Sequence, residues 1–68
     1  MEWKNWIGKW IFVKLNSGNV FNGSVNDVVY MGKNKDSIDI YLIEITDKFG
    51  KIVAFNSNDI LIIKEEER

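Results

Sequence analysis

Cysteine and histidine are both absent from this chain of 68 residues. Without cysteine there is no disulfide to staple a small core and no thiolate to hold a metal. Without histidine the chain lacks the commonest metal ligand and the side chain most often used as a general base near neutral pH. Proline is absent too, no repeat is evident, and no linker suggests a second domain. The uncharged apolar runs fall far short of the ~20 residues that cross a bilayer. The first residues, rich in tryptophan and charge, do not form an apolar signal core with a small-residue cleavage site. The expectation is a soluble, cytoplasmic chain with no membrane segment. A net charge of −1 gives no basic excess to draw phosphates in bulk, so nucleic-acid binding would need local clustering.

What is present is a dense apolar complement: 46% hydrophobic residues, with three Trp, four Phe and two Tyr. A domain this small buries only about 60% of the surface its unfolded chain exposes. Ordering it costs roughly 1.5 kcal/mol per residue. Since disulfides are excluded, oligomerisation is the support that remains.

Trp3, Trp6, Ile7 and Trp10 recur at helical spacing, and Gly8 favours a helix end over an interior. A short helix over about residues 2–7 is expected, within an N-terminal segment 1–9. The stripe reads as a helix face packed across an open end of the fold; membrane anchors are longer and more cationic. From Trp10 the period changes to two. Ile11, Val13 and Leu15 share one strand face, and Trp10, Phe12 and Lys14 the other. Phe12 is expected against the helix or a neighbouring subunit. Asn16-Ser17-Gly18-Asn19 predicts a tight turn, with Gly18 at positive φ. A second strand covers roughly 19–30, and Gly23 within it marks a bulge, a bend or a close backbone approach. Residues 31–37 read as a polar turn. Further strands follow at 38–46, 51–55 and 60–64, separated by the turn Asp47-Lys48-Phe49-Gly50 and a short break at Asn56-Ser57-Asn58-Asp59. The acidic tail 65–68 is expected to be solvated or frayed. Five short strands behind one short helix predict a single all-β domain: a five-stranded, strongly bent antiparallel barrel of SH3-like type over 10–64.

The glycine spacing makes this chain similar to the Sm/LSm family. The family pattern is a short helix, a Gly-Lys pair, an alternating strand, a turn glycine and a second glycine five residues on. Here it reads as Gly8-Lys9, then Ile11, Val13 and Leu15, then Gly18 and Gly23, with Val25 in the following apolar slot. The stretch from Val53 to Ile63 resembles the family's second motif, so the resemblance spans nearly the whole chain. It implies a homo-oligomeric ring, in which residues 51–55 of one subunit pair with 60–64 of the next, and binding of single-stranded RNA. The chain departs from the family where that RNA is read. The first motif's Asp is Val29, its base-recognising Asn falls at Asp39, the stacking position two before it is Ser37, and its Arg-Gly pair is Asn56-Ser57. A carboxylate accepts hydrogen bonds but has no donor and repels phosphates.

The candidate RNA-contacting residues are Ser37, Asp39, Asn56, Ser57 and Asn58, with Lys33 and Lys35 placed to reach phosphates. Asn, Ser and Lys are also ordinary turn residues. Asp39, on an otherwise apolar strand, is either buried with partners or turned toward a pore or cleft. The carboxylates Asp27, Asp39, Glu44 and Asp59 are the only candidate acids or bases. They are scattered, with no phosphate-cradling loop, metal-ligand spacing or nucleophile–base pair. The expectation is a non-enzymatic scaffold with no cofactor, metal or small-molecule substrate. The alternative is an oligomeric structural or protein-interaction module that has lost RNA recognition.

Overall fold

A computed structural model describes residues 3–66. The alternating stretches form strands because a period of two puts every second side chain on one face of a pleated sheet. Five result: β1 Trp10–Leu15, β2 Val20–Lys33, β3 Asp39–Thr46, β4 Ile52–Asn56 and β5 Ile60–Glu65. They form one antiparallel sheet in the order β4-β3-β2-β1-β5. The fold is the bent, barrel-like all-β sheet expected from the sequence. It is not closed: β4 and β5 are its edges.

The bend lies in β2. Its first half pairs with β1, from Val20 opposite Lys14 to Ser24 opposite Trp10. Its second half pairs with β3, beginning with Ser24 opposite Thr46. Gly23 sits at the changeover. A Cβ there would stand 2.7 Å from the Thr46 carbonyl oxygen and 3.1 Å from Ile45 Cδ1. Of the three roles open to Gly23, close backbone approach is the one it fills. Gly18 has φ of 96°, as its turn requires, and its amide donates to the Leu15 carbonyl at 2.9 Å.

The core collects on the inner face: Ile11 and Val13 from β1, Val25 and Val28 from β2, Ile43 and Ile45 from β3, Phe55 from β4, capped by Trp6. Val25 and Val28 are three apart and would fall on opposite faces of a regular strand. A register shift between Val25 and Asp27 returns Val28 to the interior. Four of these side chains, Ile11, Val13, Ile43 and Ile45, are at most 1% exposed. Each contributes about 1.5–3 kcal/mol by burial.

Several expectations are corrected in detail. The N-terminal helix is one 3-10 turn, Trp3–Trp6; Glu2 lies outside the described residues. The tryptophan stripe is not one helical face, since Trp6 is buried, Ile7 is exposed and Trp10 belongs to β1. After the turn the chain docks instead as a strand-like extension, with Gly8 donating to the Val25 carbonyl and Val25 to that of Lys9, both at 2.9 Å. β2 runs through Met31, Gly32 and Lys33, which the sequence reading assigned to a turn. A second register shift between Tyr30 and Lys33 absorbs them. The reversal spans 34–38, held by Asn34 Oδ1, which accepts the amides of Asp36 and Ile38 at 2.8 and 3.1 Å. Glu65 is part of β5, opposite Ile11, and Glu66 donates its amide to the Trp10 carbonyl at 2.9 Å. The tail is therefore anchored this far; Glu67 and Arg68 lie outside the described residues. Among the described residues no helix is long and apolar enough to cross a membrane.

Candidate functional site

The sequence-predicted residues fall mostly around one end of the sheet, where β2 turns into β3. Lys33 and Asp39 are cross-strand partners, and Lys33 Nζ lies 2.7 Å from Asp39 Oδ1. Tyr30 donates its hydroxyl to the same carboxylate oxygen at 3.0 Å. Asp39 is thus neither buried nor without partners: its side chain is 47% exposed and satisfied from two sides. The Lys33 ammonium, then the Tyr30 hydroxyl, hold the Asp39 carboxyl below the ordinary carboxylate range. The hydrogen bond to Asp39 in turn pushes both the Lys33 ammonium and the Tyr30 phenol upward. A negative charge stabilises an ammonium and opposes ionisation of a phenol.

Tyr30 also stands opposite Tyr41, with ring centroids 5.2 Å apart at 59°. The Tyr41 ring meets Trp3 at 6.5 Å. Its backbone amide donates to Ser57 Oγ at 2.9 Å. Ser57 is buried, so its hydroxyl ties the short 3-10 turn Ser57–Asp59 to β3. The Ser57 hydroxyl, expected among the candidate RNA contacts, is thus already bonded within the protein. Asn56, opposite Leu42, and Asn58 flank Ser57 and are exposed. Lys35 and Ser37 sit exposed on the 34–38 reversal. Ser37 adopts φ of 63° and donates its amide to the Asn34 carbonyl at 3.0 Å. The structure brings Lys33 and Asp39 into contact and links β3, through Tyr41, to Ser57. No bond joins Lys35, Ser37 or Asn58 to that group among the described residues.

The residues that sequence reasoning missed are the two tyrosines. Simple mirroring about the 34–38 reversal would set Tyr30 opposite Leu42; the register shift between Tyr30 and Lys33 is what brings it to Tyr41. Three of the four scattered carboxylates have separate partners. Asp39 is ion-paired, Asp27 Oδ1 accepts the amide of Val28 at 2.9 Å, and Glu44 accepts from Asn26 at 3.4 Å. The arrangement presents two partly exposed rings, one carboxylate, one ammonium and two exposed amides. Comparison with protein-family models, with curated proteins and with solved structures found no match.

Proposed function

We propose that this chain is a non-catalytic, Sm-like scaffold subunit that assembles through its sheet edges into a homo-oligomeric ring and contacts single-stranded RNA at the β2–β3 end. The observation that carries the reading is the pair of open edges. On β4, Ile52 is 63% exposed, and on β5, Leu61 is 58% and Ile62 46% exposed. Edge strands that present apolar side chains and unpaired backbone groups invite strand addition. Addition of β4 to the β5 of a neighbouring copy covers both edges in one heterologous contact, which closes into a ring when the rotation permits. RNA contact is supported by the Tyr30–Tyr41 pair, since exposed aromatic faces stack on unpaired bases, with Lys33, Lys35, Asn56 and Asn58 nearby in sequence or pairing.

Two measurements test it. Light scattering after gel filtration is expected to give a mass of roughly five to seven protomers; a monomer at micromolar concentration sinks the ring. Fluorescence anisotropy with short oligo-U and oligo-A is expected to show binding that weakens as salt rises. Asn56→Ala should weaken it about fivefold, one hydrogen bond of about 1 kcal/mol. The second reading, a protein-interaction module, is favoured by a specific observation: Lys33 already has Asp39 as its partner and Ser57 already has Tyr41. Assembly without oligonucleotide binding at low salt selects that reading.

A further inference from the structure

The far end of β3 holds a second feature: Ile45, which lines it, lies four residues along the strand from Tyr41, roughly 13 Å at ~3.3 Å per residue. A cleft of about 400 Å³ opens there, lined by Trp10, Phe21, Ile45, Phe49 and Val53. Its volume lies in the roughly 300–1,000 Å³ range of ligand pockets. One wall is a stretch of strand with nothing beside it. The Leu15 amide bonds the Asn19 carbonyl at 2.9 Å, so residues 19, 21 and 23 turn their backbone groups toward β1. By alternation Val20 and Asn22 turn theirs away from it, in the direction in which Ser24 meets Thr46 of β3. β3 would supply partners only if it ran on past Thr46. It does not: the chain reverses at 47–50, closed by the amide of Asp47 on the Lys51 carbonyl and that of Gly50 on the Asp47 carbonyl. Among the described residues no strand pairs with this side of Val20 and Asn22. Each presents one N–H and one C=O to the cleft.

The charges at the rim are unequal in availability. Asp47 Oδ1 accepts the amides of Phe49 and Lys51 at 2.9 and 2.8 Å, so this oxygen is engaged in its own turn, although the carboxylate keeps its charge. Lys48 holds its ammonium 5.2 Å from the Phe49 ring centroid and makes no salt bridge among the described residues. The rim therefore offers a cation, and an apolar wall beside it in Phe49, which is 83% exposed.

We propose that this cleft docks an extended peptide that adds a strand along Val20 and Asn22, sets an aromatic side chain between Phe21 and Phe49, and places a carboxylate against Lys48. The free strand edge selects polypeptide, because its alternating N–H and C=O groups match another backbone. The aromatic walls select an apolar side chain, and the unmatched ammonium an acidic one two residues along, on the same face of the incoming strand. The site does not rest on the RNA reading, and it meets the proposed ring seam only at Val53 of β4, one of its walls.

The test is titration of the full ¹⁵N-labelled chain with the capped peptide acetyl-Thr-Val-Phe-Val-Glu-Thr-amide, followed by amide chemical shifts. The largest shifts are expected at Val20, Asn22 and Phe49. A peptide N-methylated at alternate residues on the pairing edge is expected to bind at least about tenfold more weakly, as it loses the ladder donors. Phe49→Ala alters a side chain outside the core and should weaken binding to a similar degree. Lys48→Glu should reverse the preference for the Glu peptide over its Lys counterpart. No shift at Val20 and Asn22, equal binding of the N-methylated peptide, or shifts confined to β4 and β5 each overturn the proposal. Shifts at those amides caused by oligo-U and not by the peptide also overturn it, and assign the cleft to nucleic acid.

Discussion

Gly23 and Asp39 are the two positions where a single side chain, or its absence, decides most. At Gly23 the Thr46 carbonyl leaves no room for a methyl group, and both contacting groups belong to paired strands that cannot yield cheaply. Gly23→Ala is expected to destabilise the fold by about 1–3 kcal/mol, the range for overpacking a filled site, read as a lower midpoint in urea. An unchanged midpoint shows that the strands part freely at the bend. Asp39 makes the structure pH-sensitive at both ends of the scale. Its carboxyl pKa is lowered by Lys33 and then Tyr30, so its contribution is present above the unfolded-state pKa and lost as pH falls through the folded one. The Lys33 pKa is raised by Asp39, so its contribution is present below the unfolded-state value and lost as pH rises through the folded one. The pair is intact across the neutral range between them. NMR titration of the Asp39 carboxyl should give a midpoint below the ordinary carboxylate range, moved up by Lys33→Met and less by Tyr30→Phe. A midpoint indifferent to both substitutions removes the pairing. Both groups are solvent-exposed, so the effect on global stability is small.

Among the elements, β2 carries the architecture, and β4 and β5 are the open edges on which the proposed assembly rests. β2 serves two partners because it changes from β1 to β3 at Gly23 and shifts register twice beyond it. Each shift breaks the period of two and redirects the side chains that follow. The first brings Val28 into the core, and the second carries the strand on to Lys33, opposite Asp39. The edge strands are short, five and six residues, and their exposed isoleucines and leucine would be poor choices for a surface kept in water. Charge placed on an edge is a common device against strand addition. Ile52→Lys, on a side chain already 63% exposed, should therefore leave the fold intact and cut the assembled mass seen by light scattering to that of the monomer. An unchanged mass with native circular dichroism places any assembly surface elsewhere.

For the whole molecule the decisive quantity is how little core there is. Eight apolar side chains are buried among the described residues, and no disulfide supplements them, since cysteine is absent. A chain held partly by its neighbours has a stability that depends on its own concentration, because association favours the folded state by mass action. The thermal midpoint is expected to rise as protein concentration is raised across the micromolar range, and Ile52→Lys should abolish that rise. A midpoint constant with concentration in the parent chain shows that the small core suffices.

Local features were legible from the residues alone because their causes are local. Alternation from Trp10 to Leu15 dictates a two-faced strand and Gly18 its turn, whatever lies around them, while Gly23 is marked as special without its role, a close approach to Thr46, being specified. The five strands and the open, bent sheet follow from such signals. What only the tertiary structure decided is which distant residues meet. Ser57 read as a candidate RNA contact or a turn former, and it is buried and accepts the Tyr41 amide; Asp39 read as an apolar strand's anomaly, yet it is a surface partner of Lys33 and Tyr30. The tyrosine pair and the cleft beside Val20 and Asn22 also depend on register and on where β3 stops. Register shifts of one residue turn side chains from one face to the other. They arise from packing between strands far apart in the chain, which no local pattern records.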